Sequence, residues 1–229
     1  MIDFYSKMLH LLGFGLCHQL PERSFIYGGV QFPVCARCCG IYVGIILGLG
    51  LLFLLYRGEQ RTGIPSKAFF AGAILAVLVI GFDGITSYLG MRTTTNVLRL
   101  ITGLMLGAAM APITYSLFVE SLVKHSSSKK ILDSGRDIVL WILVVPAGCV
   151  VVYVLSPLLG MFAAGFQGLL IIATFWFIAL ILVGLAPRFG NTIQSLRDLI
   201  VPAIWAFPFG CAIILLCVGL QLWATHMLV

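Results

Sequence analysis

The feature that most constrains this chain is a series of long apolar runs separated by short polar loops. Six runs, at about 40–56, 67–89, 95–119, 137–156, 162–186 and 199–225, reach or approach the roughly 20 residues that an α-helix needs to cross a bilayer core. The runs are continuous rather than alternating, which excludes a transmembrane β-barrel. The sequence therefore predicts an all-α protein, a polytopic transmembrane helical bundle.

The composition agrees with this prediction. Of the 229 residues, 61% are hydrophobic and only 10% are charged, whereas soluble domains carry about 25% charged residues. The net charge of +6 does not indicate nucleic-acid binding, because the basic residues lie in the loops between the apolar runs. We expect membrane lipids as partners and no nucleic acid.

The distribution of basic residues predicts the orientation. Lys and Arg concentrate in the loops 57–66, 120–136 and 187–198, whereas the loop 90–94 contains only Arg92 and the loop 157–161 has no charge. Basic loops face the cytoplasm. We therefore expect a multi-pass protein of the cell membrane whose N-terminal segment and C-terminus are extracytoplasmic.

The N-terminal segment divides the chain into two predicted parts. Residues 1–39 form an extracytoplasmic segment rich in Cys and His, and residues 40–229 form the transmembrane bundle. Within the first part, the apolar stretch 8–16 is too short to span a bilayer, so we expect an interfacial or re-entrant helix.

Four of the seven cysteines lie just before the first long run, at Cys17, Cys35, Cys38 and Cys39. The Cys35-x-x-Cys38 spacing lets two thiolates bind one tetrahedral metal ion. Cys17 or His18 would supply further ligands, but two adjacent residues do not easily reach one ion, which makes Cys39 an alternative fourth ligand. The expected cofactor is zinc or another thiophilic divalent metal.

Two other interpretations of the cysteines stay open. On an extracytoplasmic face, Cys17 could form a disulfide with Cys35 or Cys38, or the C-x-x-C pair could act as a redox dithiol. Free cysteines are also common as small buried apolar residues.

A second polar group surrounds the turn between the second and third runs. Asp83 lies well inside an apolar run, where a carboxylate is costly unless it is paired, and such a residue is a functional candidate by default. Asp83 lies six residues before Leu89, a rise of about 9 Å, and Arg99 lies about 6 Å into the following helix. The two residues could therefore pair across the hairpin, as a structural lock between helices.

The alternative is a binding pocket. Arg92 and Arg99 would hold an anion, since the planar guanidinium fork suits phosphate or carboxylate. Asn96 would orient the ligand, and Asp83 would act as the catalytic base or as a counter-ion. The expected ligand is an anionic lipid or a polyprenyl phosphate, and the predicted topology puts this pocket at the same membrane face as the cysteines.

These residues resemble an uncharacterised family of prokaryotic integral membrane proteins, domain of unknown function two thousand and eighty-five. The resemblance covers roughly the first 110 residues and implies no established activity. The family usually has Thr after the second cysteine of the pair, where this chain has Cys39, so Cys39 is not expected to be a ligand throughout the family. The residues that carry the resemblance are Cys17-His18-Gln19, Arg23-Ser24-Phe25, Pro33-Val34-Cys35-Ala36-Arg37-Cys38, Gly40-Ile41-Tyr42, Asp83-Gly84, Asn96, Arg99, Thr102 and Gly103.

Three function classes follow from these motifs. The first is a metal-dependent membrane enzyme that acts on a phosphate-bearing lipid. The second is a transporter or lipid-handling protein in which the cysteine site is a structural clasp. The third is a dithiol redox or metal-handling membrane protein. The sequence favours a metal-stabilised membrane protein with an outward-facing anion pocket and does not decide between catalysis and transport.

Overall fold

In the part of the chain that the structure describes, six helices or helical stretches are long and apolar enough to cross a membrane. A computed structural model describes residues 2–63, 65–195 and 197–227 of the chain. The six stretches are Ala36–Leu55, Phe69–Tyr88, Asn96–Leu122, Gly135–Leu159, Phe162–Gly184 and Ile200–Met227. The prediction of an all-α bundle with six spans is confirmed. The first span begins at Ala36 rather than at residue 40, so the C-x-x-C motif belongs to its first turn.

Helices α2 (Ala36–Leu55) and α4 (Asn96–Leu122) form the centre of the bundle. They approach closely because glycines face each other: a side chain at Gly40 or Gly44 would collide with the backbone of α4, and one at Gly103 or Gly107 with that of α2. Small residues allow such close packing between membrane helices. The spacing of Gly40, Gly44 and Gly48 in the sequence predicts this contact correctly.

The remaining spans surround this pair. Helix α3 (Lys67–Tyr88) packs on α4, and helices α8 (Phe162–Gly184) and α9 (Ile200–Met227) pack on each other. Between α4 and α8, one span consists of α5 (Gly135–Ile142), α6 (Val144–Val150), a π-helical turn (Val151–Leu155) and α7 (Ser156–Leu159). Ser66, Thr95 and Ser134 cap the N-termini of α3, α4 and α5 through their side chains.

The N-terminal segment folds over one end of the bundle. Helix α1 (Ile2–Phe14) contacts α8 and α9, and its 13 residues are too few to span a bilayer. A 3₁₀ turn (Pro21–Arg23) and the hairpin of β1 (Ile26–Tyr27) and β2 (Val30–Gln31) follow. The hairpin turn uses Gly28 and Gly29, both with positive φ, as a tight two-residue turn requires.

Two further short strands lie at the other end of the bundle. Strand β3 (Arg61–Gly63) follows α2, and β4 (Ser127–Lys130) follows α4, and the two pair in parallel. This pairing joins the loops 56–66 and 123–134. The cysteine segment and the Asp83 turn therefore share the end of the molecule opposite these strands.

Candidate metal centre and adjacent polar cluster

The structure brings three thiols together. The sulfur atoms of Cys17, Cys35 and Cys38 all lie within 4.8 Å of one another. Each of the three side chains is half-buried, and none is joined to another described cysteine by a disulfide. Three sulfur ligands at about 2.3 Å from one zinc ion would lie roughly 3.8 Å apart, so this cluster fits a thiophilic metal ion with small adjustments.

A buried glutamine fixes Cys17 against the C-x-x-C motif. Gln19 is 5% exposed, and its side-chain nitrogen donates hydrogen bonds to the carbonyl oxygens of His10, at 2.8 Å, and Pro33, at 2.7 Å. Gln31 in turn donates to the carbonyl of Gln19 at 2.8 Å. These bonds join the end of α1, the loop after it and the segment that enters α2. The backbone of Gln19 has a φ of 52°, an uncommon conformation for a residue with a side chain.

The start of α2 orients the other two cysteines. Cys35 is the N-cap of α2, and Cys38 lies in its first turn. The backbone N–H of Cys35 donates to the sulfur of Cys17 at 3.2 Å. Hydrogen bonds from the thiols of Cys17 and Cys38 lower the pKa of Cys35, whereas the hydrogen bond with Cys35 raises the pKa of Cys17. Cys35 is therefore the cysteine best prepared to act as a thiolate.

Two residues considered as ligands lie elsewhere. His18 is exposed and does not belong to the group of three thiols. Cys39 is fully buried, and its thiol donates to the side-chain oxygen of Gln167 in α8 at 3.3 Å. The expectation that Cys39 offers a fourth ligand is wrong, because the next position on a helix is rotated by about 100° and this one faces α8.

Asp83 is the buried carboxylate beside this cluster, and it is 2% exposed. One of its oxygens forms an ion pair with Arg37. The other accepts hydrogen bonds from Arg92, at 2.7 Å, and from the hydroxyl of Thr94, at 3.1 Å. Asp83 thus holds the end of α3 to the start of α2 and to the loop that leads into α4.

The expected ion pair between Asp83 and Arg99 is not formed. Arg99 is 7% exposed, and it donates instead to the side-chain oxygen of Asn96, at 3.0 Å, and to the hydroxyl of Ser87, at 3.4 Å. Both partners are neutral. Within the described residues, Arg99 is a nearly buried cation without a salt bridge.

Arg37 is the residue that the sequence reasoning missed. It stands between the two cysteines of the C-x-x-C motif and bonds to Asp83, so it connects the two polar groups. Its Nε and the side-chain nitrogen of Gln167 are buried and have no hydrogen-bond partner among the described residues. A cation between two ligand cysteines, in the first turn of a membrane helix, was the signal that could have identified it, since such a charge needs a partner.

The residues of this site lie within the part of the chain that matches known proteins. Residues 17–113 match the family described as "Predicted membrane protein (DUF2085)". An uncharacterised protein of Methanothermobacter thermautotrophicus is 40% identical over 113 residues, which are 48% of this chain and 92% of that protein. The chain belongs to this family.

A second relative has a similar extent. An uncharacterised protein of Methanocaldococcus jannaschii is 34% identical over 121 residues, which are 53% of this chain and 75% of that protein. No solved structure matches the chain. The family match and the six apolar helical stretches of the described residues indicate a multi-pass membrane protein, and its structure contains a cysteine cluster.

Proposed function

We propose that this membrane protein binds a thiophilic divalent metal ion, zinc in the first instance, at Cys17, Cys35 and Cys38, and binds a phosphate-bearing lipid headgroup beside it. The observation that carries the proposal is the joining of the two polar groups. Arg37 lies between two of the thiols in sequence and forms an ion pair with Asp83.

The three thiols leave a fourth coordination position for another ligand. Structural zinc sites are closed by four protein ligands, whereas catalytic zinc sites use three and keep one position for water or substrate. No His, Asp or Glu joins the three cysteines in the described part of the chain. This arrangement favours an open site, in which the metal would act on a substrate as a Lewis acid.

Arg99 supplies the anion-binding group. It is almost fully buried, carries no salt bridge among the described residues, and is held in place by Asn96 and Ser87. A buried guanidinium without a carboxylate partner binds most strongly to a ligand with negatively charged oxygens. Because the site lies at one end of the bundle, a headgroup at the membrane surface reaches it, and we propose an anionic lipid or a polyprenyl phosphate.

In this proposal Asp83 does not act as a base. Both of its oxygens accept hydrogen bonds, from Arg37, Arg92 and Thr94. A carboxylate with all of these bonds is poorly placed to take a proton from a substrate. Asp83 would instead position Arg37 and Arg92, with Arg92 as the more exposed contact for the ligand.

Metal analysis of the purified protein tests the first half of the proposal. We expect about one metal ion per chain in the wild type and its loss in the Cys35→Ser and Cys38→Ser variants. His18→Ala should keep the metal, since His18 lies outside the cluster. Cys211→Ser is the matched control for removal of a thiol. Metal-free wild-type protein with three titratable thiols at the cluster would refute the metal site.

Thermal unfolding with added lipid tests the second half. A polyprenyl phosphate should raise the Tm of the wild type by several degrees, and the corresponding alcohol should not. Arg99→Gln should lose this effect, whereas Arg188→Gln, in a loop at the other end, should retain it. Equal shifts with phosphate and alcohol would show that the lipid binds without the arginine.

The geometry of the thiols also favours a second candidate, a dithiol redox protein. Cys35 occupies the N-cap of α2, its pKa is lowered, and two other thiols lie within 4.8 Å of it. A low-pKa cysteine at a helix N-terminus next to a partner thiol is typical of thiol oxidoreductases. Mass spectrometry of the alkylated protein separates the candidates, because a disulfide among these cysteines in the isolated protein would exclude the metal site.

A further inference from the structure

A deep apolar groove opens on the membrane-facing side of the bundle, away from the cysteine site. Its floor is α4, at Ala108 and Ala109, and its walls are α3 and the span that starts with α5. Its volume is about 580 Å³, and its surface is almost entirely apolar. An unfilled groove of this kind would forfeit the dispersion contacts of its lining.

The length of the groove distinguishes between possible occupants. Along α3 it extends from Ser66 to Ala76, which corresponds to about 15 Å at 1.5 Å per residue. A hydrocarbon core is about 30 Å thick, so the groove covers one leaflet. A spanning helix of a partner protein would need a groove of twice this length, whereas an acyl chain of one leaflet fits it.

The mouth of the groove is positively charged. This mouth is the end of the groove at Ser66 and Leu132, which lie two to three residues after β3 and β4 in the chain, and the cations Lys67, Lys130 and Arg136 lie within two residues of lining positions. All three are exposed, and none forms a salt bridge within the described residues. The carboxylates of this region are fewer: Glu59 is paired with Arg61 and Lys129.

Two other carboxylates stand near the same mouth. Asp137 accepts a hydrogen bond from Tyr56, and Asp133 is exposed. The cations therefore outnumber the carboxylates that remain without a cationic partner.

We propose that this groove binds an anionic phospholipid of the leaflet opposite the cysteine site. One acyl chain lies on Ala108 and Ala109 between α3 and α5, and the headgroup contacts Lys67, Lys130 and Arg136. This site is independent of the metal site and of Arg99, which lie at the other end of the bundle.

Fluorescence quenching tests the proposal, because Trp141 lines the groove. The protein with Trp176, Trp205 and Trp223 replaced by Phe is reconstituted into vesicles that contain phosphatidylglycerol or phosphatidylcholine with brominated chains. We expect brominated phosphatidylglycerol to quench Trp141 at a mole fraction at least about fivefold lower than brominated phosphatidylcholine does, since the roughly 1 kcal/mol that one cation near a membrane surface contributes toward anionic lipids already corresponds to that factor.

Two pairs of variants locate the site. The triple variant Lys67→Gln/Lys130→Gln/Arg136→Gln should lose the preference, whereas Lys124→Gln/Arg188→Gln/Arg197→Gln removes the same charge elsewhere in the loops and should keep it. Ala73→Phe fills the groove and should reduce quenching by both lipids. Its neighbour Ile74 is 61% exposed and does not line the groove, so Ile74→Phe should leave quenching unchanged.

Two results would overturn the proposal. Equal quenching by the two lipids in the wild type would leave only ordinary bilayer contact. The second result has two parts: neither lipid quenches Trp141, and the Ile142→Cys variant cross-links as a dimer. The groove would then be occupied by a second copy of the chain.

Discussion

At the scale of single residues, the polar site depends on Asp83 and the two arginines that neutralise it. Breaking a buried ion pair by removing one partner strands the other charge, which costs about 3–5 kcal/mol when the pair is well buried. Asp83 is 2% exposed, while the side chain of Arg37 is 22% exposed. We therefore expect about 3 kcal/mol for loss of the carboxylate and somewhat less for loss of Arg37.

A double-mutant cycle tests which arginine is the partner. Asp83→Asn and Arg37→Gln should each lower the Tm, and the double variant should lose less than the sum, because the two residues contact each other. Asp83→Asn combined with Arg99→Gln should show a clearly smaller coupling energy than the pair with Arg37, because Asp83 and Arg99 share no direct bond. A larger coupling of Asp83 to Arg99 than to Arg37 would contradict the ion pairs described above.

Gln19 is the second residue whose role can be tested. Gln19→Ala removes the side-chain donor from the carbonyls of His10 and Pro33. The loss at Pro33 is the costlier one, since that bond is buried and a buried unsatisfied group costs about 1–3 kcal/mol. We expect Cys17 to react with a thiol reagent several-fold faster in this variant, since its loop is no longer tied to Pro33. Gln31→Ala removes one hydrogen bond of the same loop and should have a smaller effect. Unchanged Cys17 reactivity in Gln19→Ala would show that the loop holds its place without this bond.

At the scale of helices, the contact between α2 and α4 sets the position of the site. Both the cysteine motif and Arg37 lie in the first turn of α2, and Arg99 and Asn96 lie in the first turn of α4. The close approach at the glycines fixes how far these turns are apart and how each helix is rotated.

A pair of glycine variants in the same helix tests this contact. Gly44→Ala places a methyl group 2.7 Å from the carbonyl oxygen of Leu104, so the two helices must separate, and we expect a loss of several degrees in Tm together with weaker metal binding. Gly50→Ala meets no atom within 4 Å and should be neutral or slightly stabilising, because Ala is favoured over Gly in a helix by about 1 kcal/mol. Similar effects of the two changes would mean that packing at Gly44 does not matter.

At the scale of the whole molecule, the two ends of the bundle have different character. One end carries the cysteine cluster, the Asp83 turn and α1. The other carries β3, β4 and most of the basic residues. The uneven distribution of Lys and Arg leads us to propose that the cysteine end is extracytoplasmic.

Labelling with a membrane-impermeant thiol reagent tests the orientation. In a variant without native cysteines, Glu22→Cys, in the 3₁₀ turn at the cysteine end, should be labelled in intact cells, since Glu22 is exposed and lies outside the six spans. Ser128→Cys, in β4, should be labelled only after permeabilisation. The reverse pattern would place the cysteine site in the cytoplasm.

The sequence by itself determined the number of spans, the loops between them and the presence of two polar groups. These features are local: about 20 apolar residues in a row define a span, and Ser66, Thr95 and Ser134 cap the helices that follow them. The glycine spacing in α2 also predicted a close helix contact, because it depends only on the helical repeat.

Tertiary structure decided which polar groups meet. Cys38 and Cys39 are neighbours in sequence, yet one faces Cys17 and the other faces Gln167, because the rotation of α2 is set by its packing on α4. The same rotation directs Arg37 toward Asp83 and leaves Arg99 to Asn96 and Ser87. The rise per residue along two helices predicts how deep Asp83 and Arg99 lie, but not which way their side chains point. The directions of the side chains depend on how each helix is rotated, and packing sets that rotation.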